Sequence, residues 1–130
     1  MAENEATQDG RGRGRRRGWG QLALFLRPSI LLLLKHDPSH GYTLIEDLHR
    51  EGLIDDDLDP AVVYRYMRGM EEQGLLDSDW DTAGGGVPRR VYRLTAAGEE
   101  FVLGCMQNLR RSRRRIARIF ELYQELFPEE

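Results

Sequence analysis

The sequence predicts a mainly α-helical chain with a small β-hairpin wing: a winged helix-turn-helix followed by a long C-terminal dimerisation helix. Three observations predict it. Between Pro28 and Gln73, short segments repeat apolar side chains at helical spacing. Leu75–Trp80 and Arg89–Leu94 alternate with period two on either side of Gly84-Gly85-Gly86, as the arms of a hairpin do. From Thr95 to Phe127, Val102, Leu109, Ile116 and Tyr123 recur every seven residues, and Cys105, Ser112, Ile119 and Leu126 do the same. Interleaved, these are the a and d positions of a coiled-coil seam.

Residues 1–18 are polar and Arg/Gly-rich and have almost nothing apolar to bury, so they are expected to form a disordered arm. Trp19 opens the folded part, 19–94. A short helical or extended stretch is expected to about Leu26, then a first core helix with Pro28 in its opening turn, where a missing N–H costs little. Asp37-Pro38-Ser39 reads as a turn. Ser39 is placed to cap a second helix from about His40 to Arg50, which Gly52 ends. Asp59 and Pro60 form an N-cap and first-position pair for a third helix to Gln73, and Gly74 supplies its left-handed stop. Val63, Met67 and Met70 then face a core, and Val62, Arg65, Tyr66 and Gly69 face away. Thr95 caps the last element, 95–130. A helix of that length with an apolar seam needs a partner, and the simplest is a second copy of itself.

Composition excludes several classes. A lone cysteine, Cys105, cannot form an internal disulfide framework, so a reducing, cytoplasmic setting is expected. The longest apolar run, Ile30 to Leu34, is five residues, far short of a membrane span of roughly 18. No membrane partner is expected, and the N-terminus lacks the apolar core of a secretory signal. No phosphate-binding glycine loop and no nucleophile motif is legible, so the chain is not read as an enzyme and no cofactor is expected.

The net charge of −3 argues superficially against a nucleic-acid partner. Its distribution argues the other way. Residues 10–36 carry seven basic side chains and no acid, while residues 37–59 carry eight acids and only Arg50. Such polarity within one chain is a mark of nucleic-acid contact. In a helix-turn-helix the second helix of the motif enters the major groove, so Val62, Arg65 and Tyr66 would face double-stranded DNA, with Tyr64 reaching a phosphate from the helix flank. Arg89 and Arg90 add a basic wing. In the N-terminal arm, Arg13 and Arg15 would enter a minor groove or neutralise phosphates; a solvated tail or an RNA-binding segment is the competing reading.

Ser39-His40-Gly41-Tyr42, then Val63-Tyr64-Arg65 through Glu71-Glu72-Gln73-Gly74-Leu75, then Pro88-Arg89-Arg90-Val91-Tyr92-Arg93-Leu94-Thr95-Ala96-Ala97-Gly98, resemble in order the three signature blocks of the PadR transcriptional regulators. The resemblance spans about Arg27 to Phe127. It implies a dimeric bacterial DNA-binding repressor whose C-terminal helix forms the dimer, with effectors acting near that helix. Tyr64 and Arg65 fall on the family's recognition helix, and Arg89 and Arg90 on its basic wing. Ala61-Val62 replaces the family's usual Gly-Thr, and Gly69 its usual Arg or other polar residue. Both changes bear on the choice of operator.

For sensing, Trp19, Phe25, Phe101, Cys105 and Met106 are candidates to line a small-molecule effector pocket between the arm and the dimer helix. His36, His40, His49 and Cys105 are too few and too badly spaced for a metal site, so none is expected. A metal- or tetrapyrrole-responsive regulator of the same fold stays open as an alternative. A winged helix that docks a partner protein through Val62, Tyr66 and Gly69 is the other.

Overall fold

The computed structural model describes residues 10–129, with side chains from residue 20 onward. It is mostly helical with one small antiparallel sheet, the class the sequence predicts. Helix α1 (Gly10–His36) is continuous through Pro28, which corrects the expectation of a helix starting there. Its bounds also take in Gly10–Gly18, which the sequence left without structure. Pro28 forfeits one helical hydrogen bond, a cost of about 3 kcal/mol in a helix interior. Burial offsets it. Leu26, Ile30, Leu31 and Leu34 on the same helix are all at most 2% exposed and form one side of the core, while the Ser29 hydroxyl donates to the Phe25 carbonyl at 2.6 Å beside the proline.

Ser39–His40 form a two-residue strand, β1, rather than a helix cap. The Ser39 hydroxyl turns to the His40 carbonyl, and helix α2 (Gly41–Arg50) starts without a side-chain cap. Gly52 ends α2 with φ +71°, and Gly74 ends α3 (Pro60–Glu72) with φ +82°. In both turns the glycine and the residue after it donate back to the last helical turn: Gly74 to Glu71, Leu75 to Met70. That pairing is the Schellman motif, which needs the left-handed backbone glycine allows. At the other end of α3 the Asp59 carboxylate accepts from Ala61 N–H at 3.0 Å. Asp59→Ala is expected to lower stability by about 1 kcal/mol, read as a drop in the urea midpoint at unchanged slope.

Strands β2 (Leu76–Asp81) and β3 (Arg89–Leu94) make the wing, and the sheet order is β1-β3-β2. The register pairs Leu76 with Leu94, Ser78 with Tyr92 and Trp80 with Arg90 on one face. Asp77 with Arg93 and Asp81 with Arg89 lie on the other. The first face packs against α3, because Leu76 and Tyr92 are buried and the Ser78 hydroxyl donates to Glu71 on that helix.

Helix α4 (Ala96–Leu126) is capped by Thr95, whose hydroxyl accepts from Gly98 N–H at 3.0 Å and donates to the Gly74 carbonyl at 2.7 Å. One side chain thereby joins the end of α3 to the start of α4. Lys35 and Glu99 pair at 2.7 Å where α1 ends beside it. Beyond that first part, α4 leaves the domain. Ile116, Ile119, Phe120, Tyr123 and Leu126 are exposed.

Candidate nucleic-acid interface

Helix α3 presents three faces. Val63, Met67 and Met70 are buried against α1 and α2, as their spacing predicts. Ala61, Arg65, Arg68 and Glu72 form the exposed edge. Val62, Tyr66 and Gly69 lie half-buried on one flank, beside Arg27 of α1, whose guanidinium carbon stands 5.8 Å from the Tyr66 ring centroid. Tyr64 lies on the opposite flank and packs on Gly41 at the start of α2. A β-carbon at Gly41 would come within 2.6 Å of the Tyr64 ring. So Arg65 of the expected set stands fully out on the edge, Tyr64 is positioned by a glycine, and Val62 and Tyr66 are partly held by the domain. Arg68 was missed, although a spacing of three from Arg65 places it on the same edge.

The wing brings its arginines to the same region. Arg89 donates to the Tyr42 hydroxyl at 2.6 Å and lies 5.2 Å from that ring's centroid. Arg90 donates to the Ser78 hydroxyl at 2.6 Å and lies 4.7 Å from the Trp80 ring centroid. Both side chains are exposed. Aromatic faces hold a guanidinium without neutralising it, so each keeps its charge and most of its donors for an external acceptor. Tyr42, Tyr64, Trp80, Arg89 and Arg90 line one cleft of about 310 Å³ between α2, α3 and the wing. Tyr42 and Trp80 as supports for the wing are not legible in the sequence, since Tyr42 meets Arg89 only in the fold.

Charge pairing separates the arginines into two sets. Arg50 pairs with Asp47, Arg93 with Asp77 and Asp79, and Arg118 with Glu121 and Glu125. Among the described residues, no carboxylate lies within ion-pair distance of Arg65, Arg68, Arg89 or Arg90. Among the described residues the α3 edge and the wing thus carry uncompensated positive charge, as do Arg110, Arg111, Arg113, Arg114 and Arg115 far along α4.

At the wing base, Asp81 accepts from Ala83 N–H and meets His40 Nε2 at 3.1 Å, and His40 stacks on Tyr42. The backbone donor first and the histidine second hold the Asp81 carboxyl below its ordinary value of 3.8. A carboxylate lowered on folding adds stability in full above the ordinary value, and that stability is lost as pH falls through the lowered one. Asp81→Asn is therefore expected to cost stability by a constant amount at neutral and mildly acid pH. The gap from wild type should close below pH 3.8, as checked by urea melts across that range.

The three histidines lie apart, each beside its own carboxylate. His36 lies near Asp37, His40 near Asp81 and His49 near Asp56. Among the described residues no group of three or more His, Cys, Asp or Glu is placed to hold a metal ion. Burial pushes the Cys105 thiol up, away from the reactive thiolate, with Arg27 opposing. Phe101, Cys105 and Met106 lie half-buried along α4, and Phe25 lines a cavity with Leu22, Leu53, Ile54, Leu58 and Val62. The side chains of Arg13, Arg15 and Trp19 lie outside the described residues. No helix of the described residues is long and apolar enough to cross a membrane.

The model of the transcriptional regulator PadR-like family matches residues 30–102. No curated protein matches the chain. Among solved structures, the chain is similar to a conserved protein of unknown function described as a potential transcriptional factor, at 33% identity and a TM-score of 0.71 over 83% of this chain and 95% of that one. It is also similar to a protein of Thermoplasma acidophilum described as a transcriptional regulator, at 26% identity and a TM-score of 0.65, with 82% and 96% covered. A PadR family transcriptional regulator of Eggerthella lenta is 26% identical at a TM-score of 0.59, with 84% and 97% covered. With its three signature blocks, its winged-helix geometry and this match over more than half its length, the chain belongs to the PadR-like family of transcriptional regulators.

Proposed function

We propose that the protein is a cytoplasmic, sequence-specific regulator that binds double-stranded DNA as a homodimer and represses transcription by occluding a pseudo-palindromic site. One observation carries this reading: Arg65 and Arg68 on the α3 edge and Arg89 and Arg90 on the wing have no carboxylate partner among the described residues, while Arg93 just below them is neutralised. Phosphates supply the acceptors such a surface needs. Tyr64 and Arg65 would work from the helix, Arg89 and Arg90 from the wing, and Val62 and Tyr66 from the flank of the groove-facing edge. The dimer is supported by α4, whose second half carries exposed apolar side chains in heptad register. An effector that changes how two copies of α4 cross would change the spacing of the two recognition helices.

The test is a salt titration of binding to the DNA upstream of the protein's own gene, with the oligomeric state measured by native mass spectrometry. A dimer whose affinity falls steeply and log-linearly with salt supports the reading; a salt-insensitive complex, or a monomer, counts against it. Arg13 and Arg15 are proposed as an auxiliary arm on DNA. Deleting residues 1–18 should lower both affinity and salt slope, and an unchanged slope rejects the arm.

A further inference from the structure

One face of the wing holds two aspartate and arginine pairs that the register treats alike and the fold does not. Asp77 stands opposite Arg93, and on the same face Asp81 stands opposite Arg89. Opposite charges set directly across a hairpin attract. Arg93 follows that rule, lying 3.8 Å from Asp77 and 3.1 Å from Asp79. Arg89 does not, since among the described residues no carboxylate is within ion-pair distance of it.

No obstacle separates the second pair. Asp81 and Arg89 line one cavity of about 340 Å³ beneath the wing tip, so the guanidinium has open space toward the carboxylate. What differs is His40. Strand β1 sets it opposite Val91, and its Nε2 lies 3.1 Å from Asp81 Oδ2. An ionised carboxylate only accepts, so Nε2–H is the donor. Ala83 N–H takes Oδ1 at 3.0 Å, which leaves each oxygen of Asp81 with a donor other than Arg89. These two donors lower the Asp81 carboxyl most, and the Arg89 charge lowers it least. Arg89 turns instead to Tyr42, donating to its hydroxyl at 2.6 Å. The Tyr42 ring is itself stacked on His40, with 5.4 Å between centroids and 4° between planes.

We propose that His40 is a positioning residue for Arg89: by holding the Asp81 carboxylate it prevents the cross-strand ion pair that the register favours, and so leaves this wing arginine free for an anionic partner. That the partner is a DNA phosphate rests on the DNA-binding reading; the competition among His40, Asp81 and Arg89 does not.

The test removes the donor and then the carboxylate. His40→Phe keeps a flat ring against Tyr42 and loses Nε2–H, so Asp81 should take Arg89 as Asp77 and Asp79 take Arg93. NMR of the full chain without DNA follows the Arg89 Cδ protons, which the Tyr42 ring shifts upfield. That shift should be largely lost in His40→Phe and return when Asp81→Asn is added, since an amide offers no charge to the guanidinium. On DNA, His40→Phe should weaken binding about tenfold and make the salt slope smaller by about 2, one phosphate contact per protomer, and Asp81→Asn should restore both. A merely structural role of His40 predicts no such rescue, because Asp81→Asn by itself costs stability. His40→Ala, with and without Asp81→Asn, repeats the comparison should the larger ring unsettle β1. The proposal is overturned if the Arg89 signals stay as in wild type when His40 is replaced, or if Asp81→Asn fails to bring them back. Should the signals respond as expected while the wild-type protein shows no salt-dependent binding to DNA, the DNA reading fails and the positioning role stands.

Discussion

Gly98→Ala should destabilise the protein by about 3 kcal/mol, at the upper end of what overpacking a well-packed site costs, whereas Gly104→Ala on the same helix should stabilise it by about 1 kcal/mol. The two glycines lie in one α-helix and would gain the same methyl group, so their opposite signs isolate packing from propensity. At Gly98 a β-carbon would overlap the Leu75 carbonyl oxygen and come within 2.5 Å of Leu94 Cδ1. The leucine tip could shift; the carbonyl cannot. It accepts from Thr95 N–H at 3.2 Å, and the Thr95 hydroxyl holds the neighbouring Gly74 carbonyl as well. Relieving the overlap would move the start of α4 off the turn that ends α3, breaking the cap and the Lys35–Glu99 pair together. At Gly104 a β-carbon meets nothing within 4 Å. Thermal and urea unfolding of both variants checks the pair, and equal signs would show that α4 does not seat on Leu75.

That site also shows where sequence reasoning reaches and where it stops. Thr95, Asp59 with Pro60, Gly52 and Gly74 were legible because each acts on backbone groups within a few residues, so pattern and geometry coincide. The three helices and the hairpin follow from the same local logic. Ser39 failed that logic because its strand exists only where β3 passes: Ser39 pairs with Tyr92 and His40 with Val91. Pro28 failed it because four leucine and isoleucine side chains on α1 are buried by the rest of the domain, which no window around the proline reveals. The candidate interface divides the same way. Arg65 and the wing arginines could be named from the chain, but their difference from Arg93 could not. Arg93 is neutralised across the hairpin by Asp77 and Asp79, and Arg89 and Arg90 are held by the rings of Tyr42 and Trp80. The net charge of −3 conceals this, since a sum over the chain does not know which charges meet.

The difference between paired and unpaired arginines sets the largest expected effect on function. Arg65→Ala combined with Arg89→Ala should reduce operator affinity by about a hundredfold or more at moderate salt, with the salt slope falling by about 0.9 for each phosphate no longer neutralised. In a homodimer each substitution occurs twice, so a slope smaller by about 3 to 4 is expected. Arg93→Ala removes one charge of the same kind from the same hairpin and should leave the slope unchanged, because that guanidinium is already committed to Asp77 and Asp79. Net charge alone would make Arg93 equivalent to Arg89; geometry does not. If all three arginines reduced the slope alike, the protein would act as a diffuse cation and the α3 edge would hold no special place. If the double variant folded cooperatively and bound the operator as tightly as wild type, this face would not be on DNA. The rival would then gain ground: a winged helix that docks a partner protein through Val62, Tyr66 and Gly69, insensitive to salt. Circular dichroism of each variant separates these outcomes from simple unfolding, since Arg65 and Arg89 are exposed and their truncation leaves the buried core intact.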